Sequence, residues 1–189
     1  MHDQVYQPEA DTFLLLRAAL REVRPTDRVL EVGTGSGRIA AAVLETGARV
    51  VGTDINPYAV LAARSCGVET VRTDLAAGFA GPFDLVVFNP PYLPTVPEDR
   101  FDDWLEYALD GGPDGRRVIE RFVRDLDRVL APYGRLLLLV SSLTDLDAVR
   151  ELLGSYGFIA IVVDQEGCEG ETLYVLRAMR DLCRVTSGD

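Results

Sequence analysis

Asn89-Pro90-Pro91-Tyr92 is the stretch of this chain best suited to chemistry on a flat polar group. It follows the apolar run Phe83–Phe88, which reads as a buried strand bounded by Gly81-Pro82 and by the prolines. Two prolines fix two φ angles, and each restricts the residue before it, so Asn89 is held with little freedom. The Asn89 side-chain oxygen and the Pro90 carbonyl could accept both N–H bonds of a planar amide or amine, with Tyr92 flanking it. The same four residues would also serve as a proline turn that caps a strand.

A second constellation lies upstream. Glu31-Val32-Gly33-Thr34-Gly35-Ser36-Gly37 ends a short apolar run and opens an alanine-rich helical pattern. Glycines there let the backbone turn tightly and approach a ligand. The spacing is G-x-G-x-G, not the G-x-G-x-x-G of dinucleotide binders, and the chain contains no lysine, which excludes a P-loop. Glu31 would repel a pyrophosphate and suit an ammonium group. Asp54 ends the next strand, where an acid can accept from both ribose hydroxyls or cap the following helix. Asp74-Leu75 follows the third, where a carboxylate can accept from an adenine amino group or sit in a turn. A ligand with a cationic end, a ribose, an adenine and no phosphate is S-adenosylmethionine. Methyl transfer from its sulfonium is an in-line displacement that needs aligned reactants and a dry site. Alignment alone can be worth about 7–11 kcal/mol of barrier.

The elements that must position these residues alternate along the chain. Helical spacing covers 9–24, 36–46, 57–65, 114–130 and 144–156, with Asp114 as the expected N-cap of the fourth. Strands are expected at 28–32, 49–54, 68–73, 83–89, 135–140, 158–164 and 172–179, the last two pairing as a hairpin. Residues 93–113 read as irregular, with a helical option at 103–108. The expected fold is α/β: a doubly wound, Rossmann-like, mostly parallel seven-stranded sheet with a C-terminal antiparallel hairpin strand. Such sheets bind ligands beyond the carboxyl ends of their strands, where strand order reverses. One domain over 1–189 is expected, with a helical segment at 1–25 packing over the cofactor site.

The net charge of −11 argues against a surface that grips nucleic-acid backbone. Arg116, Arg117, Arg121, Arg124 and Arg128 alternate with Glu120, Asp125 and Asp127, which reads as a salt-bridged helix face. Cys66, Cys168 and Cys183 fit neither a disulfide framework nor a metal knuckle. The terminus has no signal-peptide pattern, no run of roughly 18 apolar residues exists, and a cytoplasmic location is the default. His2, the single histidine, lies too near the terminus to be a catalytic candidate.

Glu31–Gly37, Asp54-Ile55-Asn56-Pro57 and Phe88–Tyr92 together resemble the class I methyltransferases of the HemK-related group. The opening Val5–Leu15 and Gly111-Gly112-Pro113-Asp114-Gly115-Arg116 are similar to its archaeal and eukaryotic branch. The resemblance implies N5-methylation of the glutamine in the Gly-Gly-Gln loop of a class 1 release factor. It implies cofactor contacts at Thr12, Glu31, Gly33, Asp54, Asp74, Leu75 and Asn89, with Gly35, Gly37 and Ile55 inside the same motifs. Asn89, Pro90 and Tyr92 would hold the glutamine. It also implies a heterodimer with a small zinc-binding activator protein along the third-strand edge, where Cys66, Val68 and Val71 would give apolar character. Two places depart from the family pattern. Pro8-Glu9-Ala10-Asp11 replaces P-A-E-D, leaving Glu9 and Asp11 without an assigned role, and Leu109 stands where a tryptophan often precedes the G-G element, with Trp104 upstream.

Other readings share the motif. An adenine-N6 nucleic-acid methyltransferase needs the same planar-amine pocket, and the acidic charge with no target-recognition domain argues against it. A protein lysine methyltransferase, a cofactor-binding scaffold without catalysis and an NAD module are the remaining alternatives.

Overall fold

Alternation along the strands decides how the chain layers. In the computed structural model, which describes residues 3–95 and 103–183, β1 (Arg28–Val32) sends Leu30 and Val32 to one face of a sheet and Val29 to the other. β4 (Phe83–Phe88) does the same with Val86 and Phe88 against Leu85 and Val87. Both faces are therefore apolar, as a sheet covered by helices on both sides requires. α1 (Ala10–Glu22), α2 (Arg38–Leu44) and α3 (Pro57–Ser65) cover one face. α5 (Arg117–Val129) and α6 (Leu146–Ser155) cover the other, with Phe122 edge-on to Phe88 at 4.8 Å between ring centres. α4 (Trp104–Tyr107) is a single turn capped by the Asp103 side chain.

With β2 (Arg49–Asp54), β3 (Glu69–Arg72), β5 (Leu130–Ser141), β6 (Phe158–Cys168) and β7 (Glu171–Arg180), the sheet runs β3-β2-β1-β4-β5-β7-β6. The pairings from β3 through β5 are parallel, and β7 is antiparallel to both β5 and β6. This is the doubly wound sheet with a closing hairpin that the strand and helix periods predict. Strand order reverses between β1 and β4, so the carboxyl ends of those strands open onto a crevice.

Several local boundaries differ from the expected ranges, two of them for identifiable reasons. α5 starts at Arg117 with Arg116 as N-cap, not at Asp114. A turn with Gly115 at φ 74° intervenes, and the Asp114 carboxylate accepts from the Arg116 backbone instead. β5 begins at Leu130 rather than 135, because Phe83 pairs with Leu130 before a register shift restores the ladder at Arg135. The arginine face of α5 also bonds mainly to other elements. Arg117 pairs with Asp110 and Arg121 with Asp74, while Arg128 and Asp125 form the kind of along-helix pair the sequence suggests. His2 lies outside the described residues, as does part of the irregular stretch at 96–102.

The amino ends of the strands are closed by charge pairing. Arg135 Nη2 donates to Asp27 Oδ2 at 2.6 Å and to the Glu22 carbonyl, and Nη1 reaches the Asp84 carbonyl at 3.2 Å. Arg135 and Asp27 side chains are only 7% and 5% exposed. No helix of the described residues is long and apolar enough to cross a membrane.

Candidate active site

At the opposite edge, where β1, β2 and β4 end, the structure has a cavity of about 200 Å³. Glu31, Gly33, Gly35, Asp54, Ile55, Asp74, Leu75, Asn89, Pro90, Tyr92 and Thr12 all line it. Of the residues expected to hold cofactor or substrate, Gly37 alone is absent from its wall. A Cβ there would lie 2.7 Å from Ala63 Cα, so this glycine lets α2 and α3 approach each other.

Glu31 sits on the α2-facing side of β1 and is 4% exposed. Its Oε2 accepts from Thr34 Oγ1 at 2.5 Å and from the Ala40 N–H at 3.1 Å, so it braces the glycine loop against α2. Burial pushes its carboxyl up to about 8, against the lowering effect of those two bonds, and nearby Asp54 adds to the rise. Asp54 works similarly. Oδ2 accepts from the Gly35 N–H and Oδ1 from the Asn56 N–H, both at 2.9 Å. Burial raises its pKa, and these backbone bonds oppose the rise. Each oxygen keeps a second lone pair, which leaves acceptors for a vicinal diol.

Asp74 follows β3 and pairs with Arg121 Nη2 at 2.5 Å, both side chains about half exposed at 47% and 49%. The sequence pattern offered no hint of this cross-element partner, which puts a guanidinium beside the expected adenine acceptor. Leu75 next to it has φ 51°, the left-handed region a leucine rarely occupies. Such strain gathers at ligand-binding positions.

Asn89 ends a hydrogen-bond chain. Its Nδ2 donates to Asp11 Oδ2 at 2.9 Å, and Tyr6 OH donates to the same oxygen at 3.2 Å. Asp11 Oδ1 accepts from the Thr12 N–H and Oγ1. Asn89 Oδ1 is buried and has no hydrogen-bond partner among the described residues. A buried acceptor left unpaired costs about 1–3 kcal/mol, so its persistence beside a cavity points to a ligand's donor. Tyr6 and Tyr92 both have phenol pKa values raised chiefly by burial and then by Asp11, which keeps each hydroxyl protonated. Neither is a tyrosinate base.

The wall behind Tyr92 is built by the G-G element. Leu93 and Gly111 exchange backbone bonds with Leu109 and Leu93, and the Thr95 N–H donates to the Gly112 carbonyl at 2.9 Å. A Cβ on Gly115 would lie 2.3 Å from the Tyr92 carbonyl oxygen and 2.6 Å from Thr144 Cγ2. Glycine is thus required where α5's lead-in crosses behind Tyr92. Trp104, Tyr107 and Leu109 also line the cavity. The Trp104 backbone N–H donates to Gln4 Oε1 at 3.1 Å, and its ring lies under the Arg72 guanidinium, which is 5.9 Å from the ring centre. The Gln4 carbonyl in turn accepts from Asn56 Nδ2 at 2.7 Å. Sequence reasoning gave Tyr6 and Tyr107 no role and noted Trp104 only as a departure from the family pattern. The displaced Trp104 near the G-G element was the signal that could have found that wall.

The donor set fits S-adenosylmethionine. Acids at three strand ends suit an ammonium, a diol and an amino group, and strained Leu75 and unpaired Asn89 Oδ1 flank them. Fold and site together define a class I S-adenosylmethionine-dependent methyltransferase. A family model described as a methyltransferase domain matches residues 29–110. Over 187 residues the chain is 38% identical to a Methanocaldococcus jannaschii protein provisionally named a protein N5-glutamine methyltransferase, covering 95% of this chain and 94% of that one. It is 33% identical to methyltransferase HEMK2 of Homo sapiens, covering 92% and 88%. The solved E. cuniculi Mtq2–Trm112 complex, described as responsible for methylating the eRF1 translation termination factor, superposes with a TM-score of 0.78. It shares 32% identity and covers 94% of this chain and 99% of that one. The chain belongs to this HemK-related methyltransferase family.

Proposed function

We propose that this chain transfers a methyl group from S-adenosylmethionine to the side-chain amide nitrogen of the glutamine in a release factor's Gly-Gly-Gln loop. The reading rests on one observation above the rest, the unpaired buried Oδ1 of Asn89 in a cavity lined by three strand-end acids. The names carried by the relatives agree with it.

The cofactor supplies a methyl sulfonium, and the protein's residues do the rest. Glu31, giving up its proton as the ammonium arrives, would face that cation, Asp54 the ribose hydroxyls, and Asp74 the adenine amino group beside the Leu75 backbone. Thr12, Gly33, Gly35 and Ile55 would complete the wall. Gly37 acts through the packing of α2 on α3. Asn89 Oδ1 would accept one glutamine N–H and the Pro90 carbonyl the other, which favours a tetrahedral nitrogen as charge develops. Tyr92, a protonated phenol, would flank the amide plane. No strong base is required, because the amide proton acidifies as the new bond forms. The whole chain would act as one domain, its N-terminal segment adding Tyr6 and Thr12 to the cavity.

A small activator protein would bind along β3. That strand is an edge with β2 as its neighbour, and an uncovered edge is a liability. Val71 is 39% exposed there, and Cys66, just before the strand, is exposed. Val68 packs in the core and adds nothing to such a surface, contrary to its expected part. Val71→Arg should abolish co-elution with the activator; retained co-elution would remove β3 from the interface. A cytoplasmic location follows from a translation factor as substrate.

The central test uses Asn89→Ala with a release factor and labelled cofactor. Incorporation should fall about 10²–10³-fold, the usual cost of losing a transition-state acceptor or donor. Cofactor affinity should change far less. Mass spectrometry should place the wild-type methyl on the glutamine; methyl on lysine, or undiminished incorporation in the variant, would refute the reading.

A further inference from the structure

Asn89 can serve an N–H substrate only if its amide points the right way, and that orientation needs a cause. The two ends of an asparagine amide are nearly the same size, so packing alone chooses poorly between them. Asp11 supplies the choice. It is 4% exposed, sits in the first turn of α1, and every hydrogen bond it makes is one it accepts. Only Nδ2 of Asn89 can satisfy it, so Oδ1 is left over. We propose that Asp11 is a positioning residue that sets the hydrogen-bond polarity of Asn89, making the pocket select a group that donates (an amide) over one that accepts (a carboxylate). This rests on the glutamine reading above.

The bland alternative is that an acid in a first helical turn merely favours the helix dipole. The substitution Asp11→Asn separates the two. Tyr6 and Thr12 hydroxyls can reverse their roles, but the Thr12 backbone N–H at 2.5 Å cannot. It would claim the new side-chain oxygen and turn the new NH₂ toward Asn89. Asn89 must then flip, offer Oδ1 to that NH₂, and present its own NH₂ to the cavity. The variant therefore inverts the pocket rather than emptying it.

The experiment compares wild type and Asp11→Asn on peptides containing Gly-Gly-Gln and Gly-Gly-Glu. For the glutamine peptide, kcat/KM should fall about a hundredfold. S-adenosylmethionine affinity should stay within about threefold and the unfolding midpoint nearly unchanged. Affinity for the glutamate peptide should rise, and because losing the Asp11 charge also favours an anion, the amide orientation is decided by the readout that follows. Side-chain amide NMR gives a substrate-free readout: the Asn89 Nδ2 protons should show contacts to Tyr6 in wild type and lose them in the variant. Unchanged kcat/KM, unchanged amide contacts, or a loss that tracks cofactor affinity and stability would each overturn the proposal. Wild type with the expected amide contacts but no activity on the glutamine peptide would support the orientation and count against the substrate reading alone.

Discussion

The two ends of the sheet treat buried charge in opposite ways. At the amino ends, Asp27 meets Arg135 Nη2, which also donates to the Glu22 carbonyl, while Nη1 donates to the Asp84 carbonyl. At the carboxyl ends, Glu31 and Asp54 are held by backbone N–H groups and a threonine, and among the described residues neither meets a cation and Asn89 Oδ1 meets no donor. The first end pairs its charges within the chain, with Arg135 Nε 3.4 Å from Glu22 Oε2 although it makes no hydrogen bond. The second is complete only when something else enters. Charge pairing serves folding at one edge, and unmet hydrogen-bonding capacity serves binding at the other.

The contrast can be broken most forcefully at Arg135. Arg135→Met should destabilise the protein by about 3–5 kcal/mol in urea unfolding, because it strands Asp27 in the interior. Cofactor affinity measured below the transition should hold. A variant of wild-type stability would mean that the closed end is not held by its charges. Glu31 sharpens the other side. Its carboxyl rises from an ordinary 4.5 to about 8 on folding, so the folded state retains a proton that the unfolded chain gives up. The stability this proton confers is full below 4.5 and is lost as pH climbs through 8, at most about 1.4 kcal/mol per pH unit. Glu31→Gln should flatten that decline. An identical pH profile in the variant would remove Glu31 as its source. The smallest change is expected for Asn89→Ala, whose stability should lie within about 1 kcal/mol of wild type, since the deletion also removes an unpaired acceptor. A large loss would turn Asn89 from a binding group into a structural one.

The layering of the fold was legible because it follows from local rules. Alternating strands such as Phe83–Phe88 and helices such as Pro57–Ser65 carry their periods in the sequence, and right-handed crossovers leave little freedom in joining them. The strand-end acids were legible for the same reason, since each follows an apolar run. What the sequence concealed depends on contacts between distant residues. Asp11 and Asn89 lie far apart in the chain, and so do Asp74 and Arg121. Gly37 looked like a ligand glycine because Gly33 and Gly35 line the cavity beside it, and only the approach of Ala63 gives it a packing role instead of a place in that wall. Asp114 had the right chemistry for an N-cap but stood on the wrong side of the Gly115 turn.

β1 has a consequence for how this sequence can vary. Five residues send Leu30 and Val32 to one helical layer and Val29 to the other, while Glu31 keeps Val29's side. Which layer a strand residue enters is a matter of parity. One residue inserted at Val29 would therefore carry Glu31 beneath α5 and swing Leu30 toward the glycine loop, spoiling core and cavity in the same step. Point substitutions can drift through this strand one at a time, but a change in its length has no neutral intermediate. Length variation among descendants of this sequence must accumulate elsewhere.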